Sequence, residues 1–364
     1  MTDVRIMKPY IAFAEVEDDL RQVFESGVFT RGHNVETFAA EVSAYTGAAY
    51  TSLMTSATTA LWTCLKLLEI KAGDEVAVAD FSWPATANVV EDLGAQPIFI
   101  DVNQETFNMC PKDLANKITN KTKAVLFVDA LGNPTGLHEI KSICDQYKLP
   151  LIEDAACAIG SSENGVKCGS IADLTCFSFH PRKLLCTGEG GAITTNRSDW
   201  AEWLRMKLMH GASGTRGVGL DFISYGYNFR MSEIQAVLGR KQLASLDLIT
   251  DERNKIRESY IVGLESLGFI PQKIGKTATH NIQSMVFRVP NTVNRDKLIF
   301  DLKANGIETT LGTYCQSGTS YYQKKYNNKQ PISANLEKTT ITLPCFEDVP
   351  VDYIIEKITH LISV

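Results

Sequence analysis

The chain has 364 residues and a formal net charge of −6, with 44% hydrophobic and 21% charged residues. This composition is ordinary for a globular protein, and the acidic balance argues against the broadly basic surface that nucleic-acid binding requires. Because the length exceeds what one compact core usually holds, we expect a large α/β domain over residues 1–250 and a smaller α+β domain over residues 251–364.

The cysteines and histidines give no sign of a metal centre. None of the nine cysteines forms a C-x-x-C pair, and the six histidines show no H-x-x-x-H spacing. We therefore predict reduced cysteines and no metal site. The first 20 residues lack the apolar stretch of a signal peptide, and no segment reaches the ~20 apolar residues of a membrane helix. The sequence predicts a cytoplasmic protein with no membrane or nucleic-acid partner.

Short β-rich runs alternate with helical patterns between residues 50 and 196. The predicted strands are Glu75–Ala79, Pro97–Val102, Ala124–Asp129, Leu149–Asp154, Leu174–Phe179 and Ala192–Thr195. The predicted helices are Thr58–Leu68, Ala85–Asp92, Leu137–Tyr147 and Trp200–Met209. Several of the strands are nearly continuous apolar runs, as expected when both faces of a sheet are covered. This alternation predicts an α/β domain with a mostly parallel sheet.

The pattern changes after Met231. A helix begins near Ser232, and a second helix, over Arg253–Leu267, is expected to link the two domains. The remaining chain mixes a strand with helices, which predicts the smaller α+β domain. These elements are Ser284–Val289, Asp296–Asn305 and Tyr353–Ile362.

Small and hydroxyl-bearing residues stand where the first of these helices begins. Backbone N–H groups at Ala57 and Thr58, with the Thr58 hydroxyl, can bind a phosphate, although an ordinary Ser/Thr helix cap gives the same pattern. Trp83 follows the strand Glu75–Ala79, at the edge where α/β sheets bind ligands. It can stack on a planar cofactor, or it can be a core or interface aromatic.

A lysine, an acid and a serine complete a second group of candidates. Asp154 ends a buried strand, and its neighbour Glu153 must point to the opposite face. Lys183 lies between an apolar strand and the turn Gly188–Gly191; most lysines are solvated, but a desolvated one is a nucleophile. Ser178 precedes the same turn and can bind a phosphate oxygen. A Schiff-base lysine, an acid for a pyridine nitrogen and phosphate ligands together meet the needs of pyridoxal 5′-phosphate (PLP).

The chain resembles the DegT/StrS-type nucleotide-sugar aminotransferases, which are PLP enzymes of fold type I with an aspartate-aminotransferase-like architecture. The resemblance extends from Val28 to Pro344. Seven individually weak motifs occur in the family's order: Ser56–Leu61, Gly73–Val76, Ala85–Asn88, Gly132–Pro134, Glu153–Ala156, Ser178–Lys183 and Gly226–Met231.

The resemblance implies a role for each candidate residue. Lys183 is similar to the catalytic lysine that carries PLP, Asp154 to the partner of the pyridine nitrogen, and Trp83 to the stacking ring. The residues similar to phosphate ligands are Ala57, Thr58 and Ser178. Asn228 resembles an asparagine that reaches the cofactor phosphate of the neighbouring subunit, which implies a homodimer with shared active sites. A simple turn residue is the alternative for Asn228.

Four positions depart from the family pattern. Cys157 stands where Gln is common, near the cofactor's ring hydroxyl, and a thiol is a poor hydrogen-bond partner. Ile159 replaces a common His, and Asp129–Gly132 replaces a run with a His-Tyr pair. The loop Gly306–Tyr314 lacks the usual Tyr-x-Pro-x-His run. We expect all of these except Cys157 to alter substrate specificity rather than cofactor chemistry.

The activity implied by the resemblance is transfer of an amino group from L-glutamate to a nucleotide-linked keto-sugar. The product would serve surface polysaccharide or glycoconjugate biosynthesis, for example lipopolysaccharide O-antigen. The sequence motifs around Lys183 resemble those of members that aminate C4 of a 4-keto-6-deoxyhexose, and C3 amination is the alternative. Dehydratase relatives replace the lysine with His, so its presence favours amination.

Two further alternatives come from other classes of protein. A non-catalytic regulator could keep this fold, but its mark would be loss of the lysine, the acid or the phosphate ligands. An amino-acid aminotransferase would need an arginine clamp for a second carboxylate. The arginines available for that clamp are Arg31, Arg230, Arg253 and Arg288.

Overall fold

The computed structural model of the chain describes residues 4–363. The α-helices within these residues are α1 (Phe13–Ser26), α2 (His33–Thr46), α3 (Ala57–Leu67), α4 (Ala85–Asp92), α5 (Pro111–Lys117), α6 (Leu137–Tyr147), α7 (Ser198–Leu208), α8 (Glu233–Ala244), α9 (Leu246–Glu265), α10 (Arg295–Ala304), α11 (Ser320–Tyr326), α12 (Pro331–Thr339) and α13 (Val351–Ser363). None of them is long and apolar enough to cross a membrane.

The β-strands of the described residues are mostly short. They are β1 (Tyr50–Met54), β2 (Glu75–Ala79), β3 (Phe81–Ser82), β4 (Gln96–Ile100), β5 (Thr122–Val128), β6 (Leu151–Asp154), β7 (Ser162–Glu163), β8 (Val166–Lys167), β9 (Leu174–Ser178), β10 (Gly191–Thr195), β11 (Ala212–Arg216), β12 (Gly219–Phe222), β13 (Ile270–Pro271), β14 (Ala278–Thr279), β15 (Met285–Arg288), β16 (Thr310–Leu311), β17 (Tyr314–Cys315) and β18 (Thr340–Leu343). Two short 3₁₀ helices cover Ala130–Gly132 and Gln316–Gly318.

The main sheet has seven strands in the order β1-β10-β9-β6-β5-β2-β4. All of its strands run in one direction except β10, which is antiparallel to both neighbours. Strands β6 and β9 are buried along their whole length, because helices cover both faces. This is the mostly parallel sheet that the sequence predicts, and it aligns the C-terminal ends of six strands at one edge.

The sequence located these central elements well. The bounds of β2, α4 and α6 agree with the prediction, and the other predicted strands and helices of the sheet region differ by one to a few residues. Helices α1 and α2 and the hairpin β11–β12 were not predicted. Helix α8 begins after Ser232, whose hydroxyl accepts a hydrogen bond from the backbone N–H of Gln235.

A second sheet lies in the C-terminal part of the chain, where β13-β15-β18-β16 pair antiparallel. It has its own apolar core, which includes Tyr260, Phe287, Ile341 and Ile354. Val4 also packs in this core. Helix α9 runs across the boundary that we predicted after residue 250, and the division into two domains stays a prediction.

Buried carboxylates connect the two parts of the chain. Asp80, directly after β2, accepts hydrogen bonds from the backbone N–H of Ser317 (2.7 Å) and from its hydroxyl (2.9 Å). Burial raises the pKa of Asp80 to about 6, and these hydrogen bonds oppose the rise. Asp101 accepts hydrogen bonds from the N–H groups of Ile332 (3.0 Å) and Ser333 (2.9 Å) at the start of α12. The C-terminal segment 315–333 is thereby fixed to the edge of the main sheet.

Candidate active site

A cavity of about 680 Å³ lies at the C-terminal edge of the main sheet, facing the C-terminal sheet. The predicted site residues that line it are Ala57, Thr58, Trp83, Asp154, Cys157, Ser178 and Lys183. Asn228 is not among the lining residues; it lies in the segment between β12 and α8. The structure thus brings together seven of the eight residues that the sequence singled out.

One end of the cavity is built by the start of α3. Ser56 caps this helix, and its hydroxyl accepts a hydrogen bond from the N–H of Thr59 at 3.1 Å. A side chain at Gly191 would come within 2.8 Å of the nitrogen of Ala57, so glycine permits β10 to pass directly beneath the helix start. Ser56 therefore provides the cap, while Ala57 and Thr58 remain at the cavity surface. An exposed helix N-terminus beside hydroxyl groups is suited to a phosphate.

A buried acid ends β6 at the floor of the cavity. The hydroxyl of Thr86 donates to Asp154 Oδ2 at 2.8 Å, and the N–H of Ala156 donates to Oδ1 at 3.2 Å. Burial raises the pKa of Asp154, whereas these two bonds and the charge of Lys183 act to lower it. A carboxylate in this position is stabilised by a cationic partner, which a protonated ring nitrogen would supply. Its neighbour Glu153 does not line the cavity.

Lys183 projects into the cavity from the turn that follows β9. Its Nζ donates a hydrogen bond to the Sγ of Cys157 at 3.0 Å. Gln283, from the C-terminal part of the chain, holds this turn on both sides: it accepts from the N–H of Leu184 (2.9 Å) and donates to the carbonyl of Arg182 (2.7 Å). The lysine is thus placed by groups far away in the sequence, and Cys157 contacts the amine directly.

Trp83 stands at the mouth of the cavity. It is 63% exposed, and its ring packs edge-on against Tyr314, with ring centroids 5.7 Å apart. An aromatic ring that is exposed at a cavity mouth suits stacking on a planar group better than it suits a core position. The core alternative for Trp83 is therefore excluded by its exposure.

The opposite wall comes from the C-terminal part of the chain, and most of its residues were not predicted from the sequence. It includes Ser284, Met285, Thr310–Tyr314 and Thr342–Leu343. Within this wall, the sequence predicted an effect on substrate specificity only for the loop Gly306–Tyr314, and the second half of that loop lines the cavity. No local motif marks the other residues, because the antiparallel pairing of β15, β16 and β18 brings them to the cavity.

Two of the departures from the family pattern have a different place than expected. Ile159 is 4% exposed, packs in an apolar core with Phe177 and does not line the cavity, and its effect on substrate specificity stays a prediction. Asp129 borders the cavity, but both of its carboxyl oxygens are buried. The adjacent Ala130 and Leu131 line the cavity and can contact substrate.

The lysine, the buried acid and the helix N-terminus lie together at the C-terminal edge of a parallel sheet. These groups fit PLP, and the fold and site define a PLP-dependent enzyme of fold type I. The sequence profile of the DegT/DnrJ/EryC1/StrS aminotransferase family matches residues 12–359. The chain belongs to this family.

Individual relatives match over nearly the whole chain. The spore coat polysaccharide biosynthesis protein SpsC of Bacillus subtilis is 31% identical over 374 residues, which cover 98% of this chain and 96% of that protein. The crystal structure of the aminotransferase TlmJ from Streptoalloteichus hindustanus is 27% identical, with 99% of each chain covered and a TM-score of 0.92. Spr1654 from Streptococcus pneumoniae, in its PLP form, is also 27% identical, with 99% of each chain covered and a TM-score of 0.91.

These matches bear on the predictions made from the sequence. They confirm the predicted family, the fold class, the PLP cofactor and the enzyme class of a PLP-dependent sugar aminotransferase. The alternative of a non-catalytic regulator loses its support, since the lysine, the acid and the phosphate-binding groups are all present in one cavity.

Proposed function

We propose that the enzyme transfers an amino group from L-glutamate to a nucleotide-linked keto-sugar. The observation that carries this proposal is the hydroxyl-rich C-terminal wall facing Lys183 and Asp154. Five residues that line this wall carry hydroxyl groups: Ser284, Thr310, Thr313, Tyr314 and Thr342. Such groups both donate and accept hydrogen bonds, which matches a polyhydroxylated substrate.

The residues of the sheet side would hold the cofactor. Ala57, Thr58 and Ser178 would bind its phosphate, and Trp83 would cover its ring. Asp154 would keep the ring nitrogen protonated. PLP, when bound, would supply an electron sink for the electron pair that remains when a proton is removed from an amine-bearing carbon.

Lys183 would act twice. Its amine would hold the cofactor covalently, and its Nζ, when free, would take the proton from the Cα of the amino donor. The hydrogen bond from Nζ to the Sγ of Cys157 supports this role, because it orients the amine at the cavity floor. Cys157 would then serve as a positioning residue for the lysine as well as a neighbour of the cofactor.

The cationic side chains of the cavity support an anionic substrate. The arginines considered for a clamp on a second carboxylate are not placed to form one. Arg253 is 1% exposed, and its guanidinium donates to the carbonyls of Ile282, Gln283 and Cys345. The other arginines considered above, Arg31, Arg230 and Arg288, do not line the cavity. Arg182 does, and its side chain makes no hydrogen bond or ion pair within residues 4–363. It is the side chain best placed to bind a carboxylate of glutamate or a phosphate of the nucleotide.

The finer assignments rest on the resemblance of the motifs. The sequence around Lys183 favours C4 amination of a 4-keto-6-deoxyhexose, with C3 amination as the alternative. The match to a spore coat polysaccharide biosynthesis protein supports a product used in surface polysaccharide. Asn228 is exposed and does not line the cavity, which supports a role in a partner's site and hence a homodimer. The location in the cytoplasm stays a prediction from the sequence. Paired 3-keto and 4-keto nucleotide sugars distinguish the two regiochemistries, and exclusive use of the 3-keto sugar would refute C4 amination.

The deciding experiment is the visible absorbance spectrum of the purified protein before and after addition of L-glutamate. We expect a cofactor band that bleaches when glutamate is added and returns when the keto-sugar is supplied. A band that glutamate leaves unchanged would refute glutamate as the donor. Failure to form any band with added PLP would refute the whole proposal.

A further inference from the structure

A buried group of acidic side chains adjoins the cavity and is not used by the proposed reaction. It consists of Asp129 after β5, Glu153 on β6 and Cys168, and one ligand atom of each lies within 4.8 Å of the others. All three residues are 0% exposed. Within residues 4–363, both carboxyl oxygens of Asp129 and the Oε1 of Glu153 lack a hydrogen-bond donor.

The two carboxyl groups differ in their surroundings. Glu153 Oε2 accepts hydrogen bonds from the hydroxyl of Thr175 (2.6 Å) and the N–H of Gly169 (3.2 Å). Asp129 receives no donor for its side chain, although its own N–H donates to the carbonyl of Asp154 at 3.2 Å. Glu153 is therefore supported as the charged member, while a charged Asp129 would have nothing to compensate it.

The neighbouring groups that raise the pKa of Asp129 are Glu153, Asp154 and Cys157, all of them acids, and the thiol of Cys168 lies in the same group. The ammonium of Lys183 contacts Cys157. Burial, together with the neighbouring Glu153, raises the pKa of Asp129 well above its usual range. Two adjacent carboxyl groups without a cation cannot both stay ionised in a buried site, so one of them retains its proton.

We propose that Asp129 and Glu153 share one proton, with Asp129 as a neutral carboxylic acid that donates its O–H to Glu153 Oε1. This single bond satisfies Glu153 Oε1 and gives Asp129 a partner. It also fixes the turn Ala130–Gly132, which borders the cavity, to the strand that carries Asp154. Asp129 is thus a positioning residue: it acts on the cofactor site through β6 and adds no second negative charge beside Asp154.

The test is the pH dependence of stability of the full-length protein and its Asp129→Asn variant. A neutral native Asp129 has a folded pKa above its unfolded pKa, so its contribution to stability is present below the unfolded pKa and is lost as pH rises. Asn keeps a donor to Glu153 and cannot ionise. We therefore compare the melting temperature of the variant with that of wild type at each pH. The variant's value minus the wild-type value should increase by at least about 3 °C as the pH rises from about 4.5 to about 8.

Several results would overturn the proposal. A difference that does not change with pH would show that Asp129 is ionised in the native protein. A loss of stability in the variant at neutral pH, together with a lower wild-type melting temperature in EDTA, would show that the group holds a metal ion instead. Asp352→Asn, a change at an exposed aspartate on α13, is the control and should show no pH-dependent gain. If Asp129→Asn does not fold, Glu153→Gln tests the same shared proton: its gain should be smaller, because burial alone still raises the pKa of Asp129, and no gain would overturn the shared proton.

A spectroscopic readout links the shared proton to the cofactor site, and this arm alone rests on the proposed function. We expect the midpoint pH of the visible cofactor band to agree between wild type and Asp129→Asn, because both side chains are neutral. A midpoint lowered by about one pH unit or more would reveal a lost negative charge and overturn the proposal. Absence of a band in both proteins would count against the proposed function, while the melting experiment would still decide the protonation of Asp129.

Discussion

The two walls of the cavity are built differently. On the sheet side, Asp154 and the start of α3 are fixed by strand ends and by short local hydrogen bonds. On the opposite side, Thr310–Tyr314 and Thr342–Leu343 belong to two-residue and four-residue strands and the loops between them. The sheet side carries the proposed cofactor ligands, whereas the C-terminal wall offers hydroxyl groups to a substrate. This difference predicts that cofactor chemistry and substrate choice can be changed separately.

The largest effect should follow removal of the lysine on the sheet side. Lys183→Ala lacks the amine that binds cofactor and moves the proton, so turnover should fall by about a thousandfold or more. The measurement is keto-sugar amination with both substrates saturating. Lys121→Ala, at an exposed lysine, should be indistinguishable from wild type. Substantial amination by the Lys183 variant would contradict the assignment.

A smaller but still large effect is expected for the buried acid. Asp154→Asn keeps the shape and one acceptor for Thr86 but removes the charge opposite the ring nitrogen, and kcat should fall by about 100-fold. Steady-state kinetics with the protein saturated in PLP measures this loss. Asp92→Asn, a change at an exposed aspartate ending α4, is the matched control. An unchanged kcat would show that the charge of Asp154 is not needed for the reaction.

Substitution on the C-terminal wall should change substrate affinity alone. Thr313→Val keeps the shape of the side chain but removes one hydroxyl, so KM for the keto-sugar should rise about fivefold. The bleaching rate with L-glutamate, which reports on the sheet side, should stay the same. Thr359→Val, at an exposed position on α13, serves as the control. A slower glutamate reaction in the Thr313 variant would show that the two walls are not separable.

The smallest effect concerns the packing between the walls. His280 is buried, and desolvation with help from Arg257 and Arg253 lowers its pKa to about 3. A depressed folded pKa gives stability that is present above the unfolded value, near 6.5, and is lost as pH falls towards 3. The melting temperature of His280→Asn should therefore depend less on pH than that of wild type below about pH 6.5. Parallel curves would contradict the neutral His280, and exposed His360→Asn is the control.

The sequence predicted the sheet side well because the residues of that side lie next to strands and helices that local sequence patterns identify. Each strand end is read directly from an apolar run followed by a functional residue, as at Asp154, and the alternation along β6 separated Asp154 from Glu153. The seven site residues that meet in the cavity come from such places.

The sequence did not predict most residues of the C-terminal wall, and the reason is physical. Residues such as Met285 and Thr342 reach the cavity through antiparallel pairing between strands more than 50 residues apart, and no local pattern encodes that pairing. The role of Gln283 as the holder of the lysine turn was hidden for the same reason. Asp129 was predicted to alter substrate specificity because its segment departs from the family pattern, whereas its carboxyl oxygens are buried and lie close to Glu153 and Cys168.

The segment that joins the two walls limits how the protein can be divided. Asn281 donates to the carbonyls of Cys157 and Ile159, both at 2.8 Å, and Gln283 holds the turn of Lys183. These bonds connect residues more than 90 positions apart at the point where the amine is oriented. A C-terminal part taken from a relative therefore supports the lysine turn only if it carries amide side chains that reach these backbone groups. A chimera joined near residue 250 that lacks them should lose the support of its lysine turn.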